Sequence, residues 1–201
     1  MTTGQDLLEL SPVMPVVVID DAADAVPTAR ALLAGGIGVI ELTLRTPAAL
    51  SAIERVAAEV PDIVVGAGTV TAPEHAKQAA DAGAKFLVTP GCTDAVLDAC
   101  FETGLPFLPG ASTVSEAMRL AERGLTAMKF FPAEASGGVA FLKSIAGPLP
   151  SLRFCPTGGI TVASAPSYLA LPNVGCIGGS WLTSSLDVAT IEKLAAEAAQ
   201  L

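Results

Sequence analysis

The sequence predicts a single α/β domain over residues 1–201, a (β/α)8 TIM barrel, and three observations predict it. Short β-branched or aromatic runs recur at intervals of roughly twenty to twenty-five residues, each followed by a polar or glycine-rich turn and an alanine-rich stretch. The runs number eight, and 201 residues is close to the least that eight such units need. Hydrophobic residues make up 51% of the chain and charged residues 15%, enough apolar material for a buried parallel sheet covered by helices.

The elements follow in order. TGQDLLEL at the start is expected to form a short helix capping the bottom of the barrel. The strand runs are VMPVVVI (13–19), GVIELTL (38–44), IVVGAGTV (63–70), FLVTPG (86–91), PFLPGAS (106–112), AMKFFP (127–132), RFCPTGG (153–159) and VGCIGGS (174–180). Helices are expected between them, for example over 47–60 and 113–124. Gly83, Gly104 and Gly124 stand where a left-handed C-cap would end three of these helices. In TVSE (113–116), Thr113 or Ser112 can open a helix while Glu116 reaches back to form a capping box. An open doubly wound sheet is the competing fold. It is disfavoured because VVVIDDAADA, not G-x-G-x-x-G, follows the first strand.

A net charge of −9 and a pI near 4.5 argue against nucleic acid or an anionic membrane as a partner. An anionic small-molecule substrate would need a local positive site. No apolar run approaches the roughly twenty residues of a membrane helix, and the opening lacks the basic-then-apolar order of a signal peptide, so a cytoplasmic location is expected. Four cysteines without a C-x-x-C pair, and a single histidine, point to core thiols and to no metal site. No cofactor is expected.

Reactive groups in such barrels lie at the carboxyl ends of strands. In AMKFFP, alternation puts Lys129 and Phe131 on one face and Met128 and Phe130 on the other. An enclosed lysine is costly as an ammonium ion, and desolvation favours the neutral amine that attacks a carbonyl to form an imine. The alternative is a lysine snorkelling to water. Lys77, Lys143 and Lys193 lie in expected helices, and Lys85 opens a strand at the opposite end, so only Lys129 fits the reactive role. In VIELTLR, the same period places Glu41 and Arg45 on the inward face with Val39 and Thr43. Glu41 is the candidate proton shuttle and Arg45 the candidate carboxylate fork, with a simple Glu41–Arg45 ion pair as the alternative. Thr69 of VVGAGTV shares a face with Val65 and Ala67 and is a candidate substrate donor, or a filler bonded to the backbone. PTGGIT (156–161) and GGSW (178–181) place glycine-rich turns after the last two strands, the usual phosphate site of this fold. A helix beginning near Ser180 would add its dipole.

The runs IELTLRT (40–46), VGAGTV (65–70), TPG (89–91), PFLPGASTVSE (106–116), MKFFPAEASGG (128–138), RFCPTGGI (153–160) and CIGGSW (176–181) closely resemble the bacterial 2-keto-3-deoxy-6-phosphogluconate (KDPG) aldolase family, in order from about residue 10 to residue 182. The resemblance implies a metal-free class I aldolase of the Entner–Doudoroff pathway. It would split 2-dehydro-3-deoxy-6-phosphogluconate into pyruvate and glyceraldehyde 3-phosphate and would also act on 4-hydroxy-2-oxoglutarate. By motif position it places the imine lysine on Lys129, the proton-transferring glutamate on Glu41 and carboxylate binding on Arg45. Thr69 takes the place of the family's threonine, Gly158, Gly159, Gly179 and Ser180 the phosphate contacts, and Pro90, Phe131 and Thr157 the lining of the pyruvate pocket. A homotrimer is implied by the resemblance alone. Other readings of the same residues are an aldolase for the galactonate epimer and a barrel isomerase or epimerase that anchors a sugar phosphate but forms no imine.

Overall fold

The computed structural model describes residues 3–201. Helix α1 (Gly4–Leu7) opens them, held by a reciprocal capping box between Thr3 and Asp6. There follow β1 (Val13–Val17), α2 (Ala25–Ala34), β2 (Val39–Thr43), α3 (Ala49–Glu59), β3 (Val64–Gly68), α4 (Pro73–Asp81), β4 (Leu87–Val88), α5 (Asp94–Glu102), β5 (Phe107–Leu108), β6 (Gly110–Ala111), α6 (Val114–Glu122), β7 (Ala127–Phe130), α7 (Gly138–Ile145), β8 (Arg153–Pro156), α8 (Ala165–Leu169), β9 (Ile177–Gly179) and α9 (Val188–Ala198). The alternation of strand and helix is the one the sequence predicts.

The strands are all parallel and form two ladders, a six-stranded one in the order β5-β4-β3-β2-β1-β9 and a three-stranded one in the order β6-β7-β8. A parallel bridge between Thr157 and Gly178 links the end of β8 to β9, and a second joins Phe154 to Val174. The run expected as one strand over 106–112 is two short segments because Pro109 interrupts it. Proline has no N–H to offer a ladder. Its carbonyl still accepts from the Lys129 amide at 2.9 Å, so β7 remains aligned with the interrupted strand.

Every residue of β1 and β2 is buried, as expected for strands covered on both faces. The helices supply the outer cover. In α3, Ala49, Ala52, Ile53 and Val56 are buried, spaced at three and four residues along one helical face. Gly83, Gly104 and Gly124 have φ of 92°, 69° and 82° and end α4, α5 and α6 where the sequence places C-caps. Thr113 caps α6 in a capping box with Glu116. At the N-terminal ends of the strands, Gln5 Nε2 donates to Thr126 Oγ1 at 2.9 Å, and Leu7 and Leu8 are buried. Helix α1 therefore sits beneath the starts of β5 and β7. Among the described residues, no helix is long and apolar enough to cross a membrane.

Observed strands end earlier than the sequence runs. Arg45, Thr69, Pro90, Phe131, Gly158 and Ser180 all stand just past the last ladder residue of their strands, in turns at the carboxyl rim. Backbone there is free to leave the pleat, and Thr69 does so with φ of 59°.

Candidate active site

Lys129 is carried by the centre of β7, between Gly110 of β6 on one side and Cys155 of β8 on the other. Its side chain is almost fully enclosed at 3% exposure and reaches across the interior to Glu41 of β2, which is 1% exposed. Lys129 Nζ donates to Glu41 Oε1 at 3.2 Å. Two opposite charges out of water are tolerable as a pair, and removal of either would strand the other. Lysine snorkelling is thus excluded, and so is the Glu41–Arg45 pair: the carboxylate is engaged by the amine. Phe131, on the same face of the chain as Lys129, sets its ring 5.5 Å from Nζ.

The space around Glu41 depends on β3. A Cβ on Gly68 would overlap the Glu41 carboxylate, and a Cβ on Gly66 would overlap the Phe86 ring. The GAG of VVGAGTV therefore clears volume for an acid and an aromatic ring on neighbouring strands. Thr69 departs from the expected alternation with Val65 and Ala67. Its left-handed backbone turns the side chain to the rim, where its Oγ1 accepts from Arg45 Nε at 3.1 Å. Arg45 itself is exposed, beyond the end of β2, and not inward-facing as strand alternation would have it, because the chain turns at Leu44–Arg45.

At the carboxyl rim, a cavity of about 130 Å³ is lined by Val16, Arg45, Phe131, Thr157, Gly158, Gly159, Ile160, Gly178 and Ser180. Six of the residues singled out from sequence thus meet around one small space. Gly158 and Gly159 hold φ of 103° and 79°, values that suit residues without a Cβ. The Thr157–Gly178 bridge directs the Gly158 N–H at the Gly178 carbonyl, while the Gly159 N–H has no acceptor among the described residues. Thr157 is buried, and a Cβ on Gly178 would overlap it, so this glycine lets the ends of β8 and β9 approach. Lys129, Glu41, Thr69, Gly179 and Pro90 do not line the cavity. Gly179 backs onto the Trp181 ring, and Pro90 packs against Gly110. The helix expected near Ser180 is a single 3-10 turn, Trp181–Thr183, which the Ser180 hydroxyl does not cap. Any anion held here relies on loop amides and Arg45, without a helix dipole.

An enclosed amine touching a carboxylate, under a rim that carries a guanidinium and a free glycine amide, is an arrangement for carbonyl chemistry on an anionic molecule. Residues 5–195 match the family model for KDPG and KHG aldolase. The chain belongs to the KDPG and KHG aldolase family. Aldolases of this family include a 2-dehydro-3-deoxy-phosphogluconate aldolase from Pseudoalteromonas atlantica, 53% identical over 180 residues that cover 90% of this chain and 84% of that one. The KDPG aldolase of Legionella pneumophila, solved with pyruvate captured at low pH as a covalent carbinolamine, superposes with a TM-score of 0.95 at 42% identity, covering 98% of each chain. The Zymomonas mobilis ZM4 aldolase, solved with 3-phosphoglycerate, gives 0.93 at 48% identity over 98% of this chain and 94% of that one.

Sequence reasoning missed several residues of the candidate site. Val16, Ile160 and Gly178 line the cavity, Gly68 makes room for Glu41, and the buried Thr89 accepts from the Gly110 amide at 2.9 Å. Gly68 and Gly178 could have been found by asking what each glycine faces on the neighbouring strand. Val16 and Ile160 carry no polar signal. Two of the thiols border the site: Cys155 neighbours Lys129 across the ladder and lies 3.8 Å from the Thr157 hydroxyl, and Glu41 is among the groups that raise Cys176. Burial pushes Cys100 up to about 12 and also raises Cys92, while Cys176 is raised first by its hydrogen bond with Cys155. Among the described residues no group of three or more His, Cys, Asp or Glu side chains converges as a metal site would.

Proposed function

We propose that this chain is a class I aldolase that cleaves 2-dehydro-3-deoxy-6-phosphogluconate to pyruvate and glyceraldehyde 3-phosphate, and also accepts 4-hydroxy-2-oxoglutarate. The observation that carries the reading is the buried 3.2 Å contact between Lys129 Nζ and Glu41 Oε1. Glu41 takes a proton from the Lys129 ammonium, the freed amine adds to the C2 carbonyl to form a carbinolamine, and return of that proton to the departing hydroxyl releases water and leaves a protonated imine. The C3–C4 bond then breaks. Its electron pair moves into the iminium to give an enamine, while the C4 hydroxyl proton passes to Glu41 and the aldehyde fragment departs. Protonation of the enamine at C3 and hydrolysis of the imine release pyruvate and regenerate the amine. Carbinolamine capture in the Legionella relative supports the first step.

Arg45, steadied by Thr69, binds the substrate carboxylate with a two-pronged fork. Pro90, Phe131 and Thr157 enclose the pyruvate half. Gly158, Gly159, Gly179 and Ser180 receive the phosphate, a reading supported by the free Gly159 amide and by the phosphorylated ligand of the Zymomonas relative. The framework in this proposal is one closed eight-unit barrel forming a single domain. It is supported by the Thr157–Gly178 bridge at one junction of the two ladders and by β5 and β6 being separated only by Pro109 at the other. A homotrimer and a cytoplasmic location come with the family resemblance, and light scattering and cell fractionation test them.

Borohydride reduction with pyruvate tests the chemistry. A mass adduct on Lys129, and loss of turnover in Lys129→Ala, are expected; an unmodified Lys129 or an active variant overturns the proposal. Comparing kcat/KM on the gluconate and galactonate epimers fixes the stereochemical preference.

A further inference from the structure

Glu134 carries no role in the reaction above, yet it is built into the wall of the glycine-rich turn. Its backbone amide donates to the Gly158 carbonyl at 3.1 Å, next to a bond from the Ala133 amide to the Thr157 carbonyl at 2.8 Å. The ladder between β7 and β8 is thus prolonged past both strand ends. The Glu134 side chain continues the contact: a Cβ on Gly159 would lie 2.7 Å from Glu134 Cγ and 2.8 Å from its Cβ, so the stem fills the space under this glycine. Its carboxylate is drawn away from the turn by Tyr168 of α8, whose hydroxyl donates to Glu134 Oε1 at 2.7 Å. Tyr168 is itself fully buried, and Gly138, at φ of 55°, leaves room for its hydroxyl.

An acid beside a phosphate-binding turn would ordinarily repel the ligand. Here the carboxylate is turned back and tied, while the amide and stem fix the turn from behind. Pulling the Thr157 and Gly158 carbonyls toward residues 133 and 134 turns the Gly158 N–H to the Gly178 carbonyl and leaves the Gly159 N–H unpaired, in the wall of the cavity that Arg45 and Phe131 also line. Desolvation, and then the bond to Glu134, raise the Tyr168 hydroxyl, so it remains a donor at any working pH.

We propose that Glu134, locked by Tyr168, is a positioning residue that sets the Gly158–Gly159 turn and its Gly159 amide for the substrate's phosphate group and thereby governs preference for phosphorylated over unphosphorylated 2-oxo acids. This rests on the phosphate reading of that turn. A merely structural role would weaken every step alike. A positioning role moves only those that use the phosphate.

The test compares Glu134→Ala, Glu134→Gln and Tyr168→Phe with the unaltered enzyme, reading KM and kcat on 2-dehydro-3-deoxy-6-phosphogluconate, competitive inhibition by inorganic phosphate, and the rate of borohydride trapping with pyruvate. Glu134→Ala is expected to raise KM and the inhibition constant for phosphate by about tenfold with kcat and pyruvate trapping near the unaltered values. Tyr168→Phe moves the same two quantities in the same direction. Glu134→Gln, whose amide oxygen can still accept from Tyr168, restores most of the loss. Equal losses in pyruvate trapping and phosphate binding, or no change in either, overturn the proposal. Gly159→Ala separates the two levels. If it too leaves phosphate inhibition unchanged, the turn holds no phosphate and both readings fall; if it weakens inhibition while Glu134→Ala does not, only the brace is wrong.

Discussion

Gly68 and Glu41 share one volume: a Cβ on the glycine would overlap the carboxylate oxygen that Lys129 contacts. The bare backbone of β3 therefore decides where the acid of β2 can stand. Gly68→Ala is expected to push Glu41 off the amine. Turnover should fall by about a hundredfold or more for a displaced proton carrier, and stability by about 1–3 kcal/mol for overpacking. Steady-state kinetics and urea unfolding check the two; a variant that retains full kcat would detach Glu41 from the proton transfer.

Removal of the amine alone should hurt stability as well as activity. Lys129→Met leaves a carboxylate enclosed without its partner, at an expected cost of about 3–5 kcal/mol. The double variant Lys129→Met with Glu41→Gln removes both charges and should recover a large part of that loss. Unfolding midpoints of the two singles and the double form a cycle, and strict additivity would mean that the pair is energetically uncoupled.

At the rim, geometry separates binding from folding. Arg45 is exposed, so Arg45→Lys should leave the melting temperature unchanged while raising KM for substrate by about tenfold through loss of the fork. Thr69→Gly should raise stability by up to about 1 kcal/mol, since it relieves a non-glycine residue from φ of 59°. It should also raise KM, because Arg45 loses the hydroxyl that accepts from its Nε. Calorimetry and kinetics on the same samples measure both.

Burial holds the Cys100 thiol at about 12, against 9.0 for an ordinary thiol. A folded-state value raised in this way means that the unfolded chain releases its proton first. The contribution is complete below pH 9 and is lost as pH rises toward 12. Urea midpoints should accordingly fall across that window, and Cys100→Ala should show a shallower fall. Parallel curves for the two proteins would remove Cys100 from the alkaline response.

The strand–helix alternation, the glycine C-caps and the two interior charges were legible because each leaves a local mark: periodic apolar runs, Gly83, Gly104 and Gly124 after helices, and polar residues inside apolar strands. Lys129 and Glu41 could be placed face by face from period two alone. What alternation could not reach was the rim. Arg45 and Thr69 lie where the pleat has ended, and a single left-handed residue reverses the direction a side chain takes. The interruption at Pro109 was written in the sequence as PFLPGAS, yet its effect on pairing depends on which neighbour needs an amide donor. The role of Glu134 was hidden for a similar reason: its partner Tyr168 is distant in the chain, in a segment with no periodic signal of its own.

Helix α1, lodged under the starts of β5 and β7 with Leu7 and Leu8 wholly covered, closes off the end of the molecule remote from Arg45. The doorway lined by Arg45 and Phe131 lies at the opposite rim. In the proposed reaction the aldehyde fragment occupies that doorway while pyruvate is still tethered deeper inside, so the order of departure is imposed by the architecture: the aldehyde first, the tethered acid second.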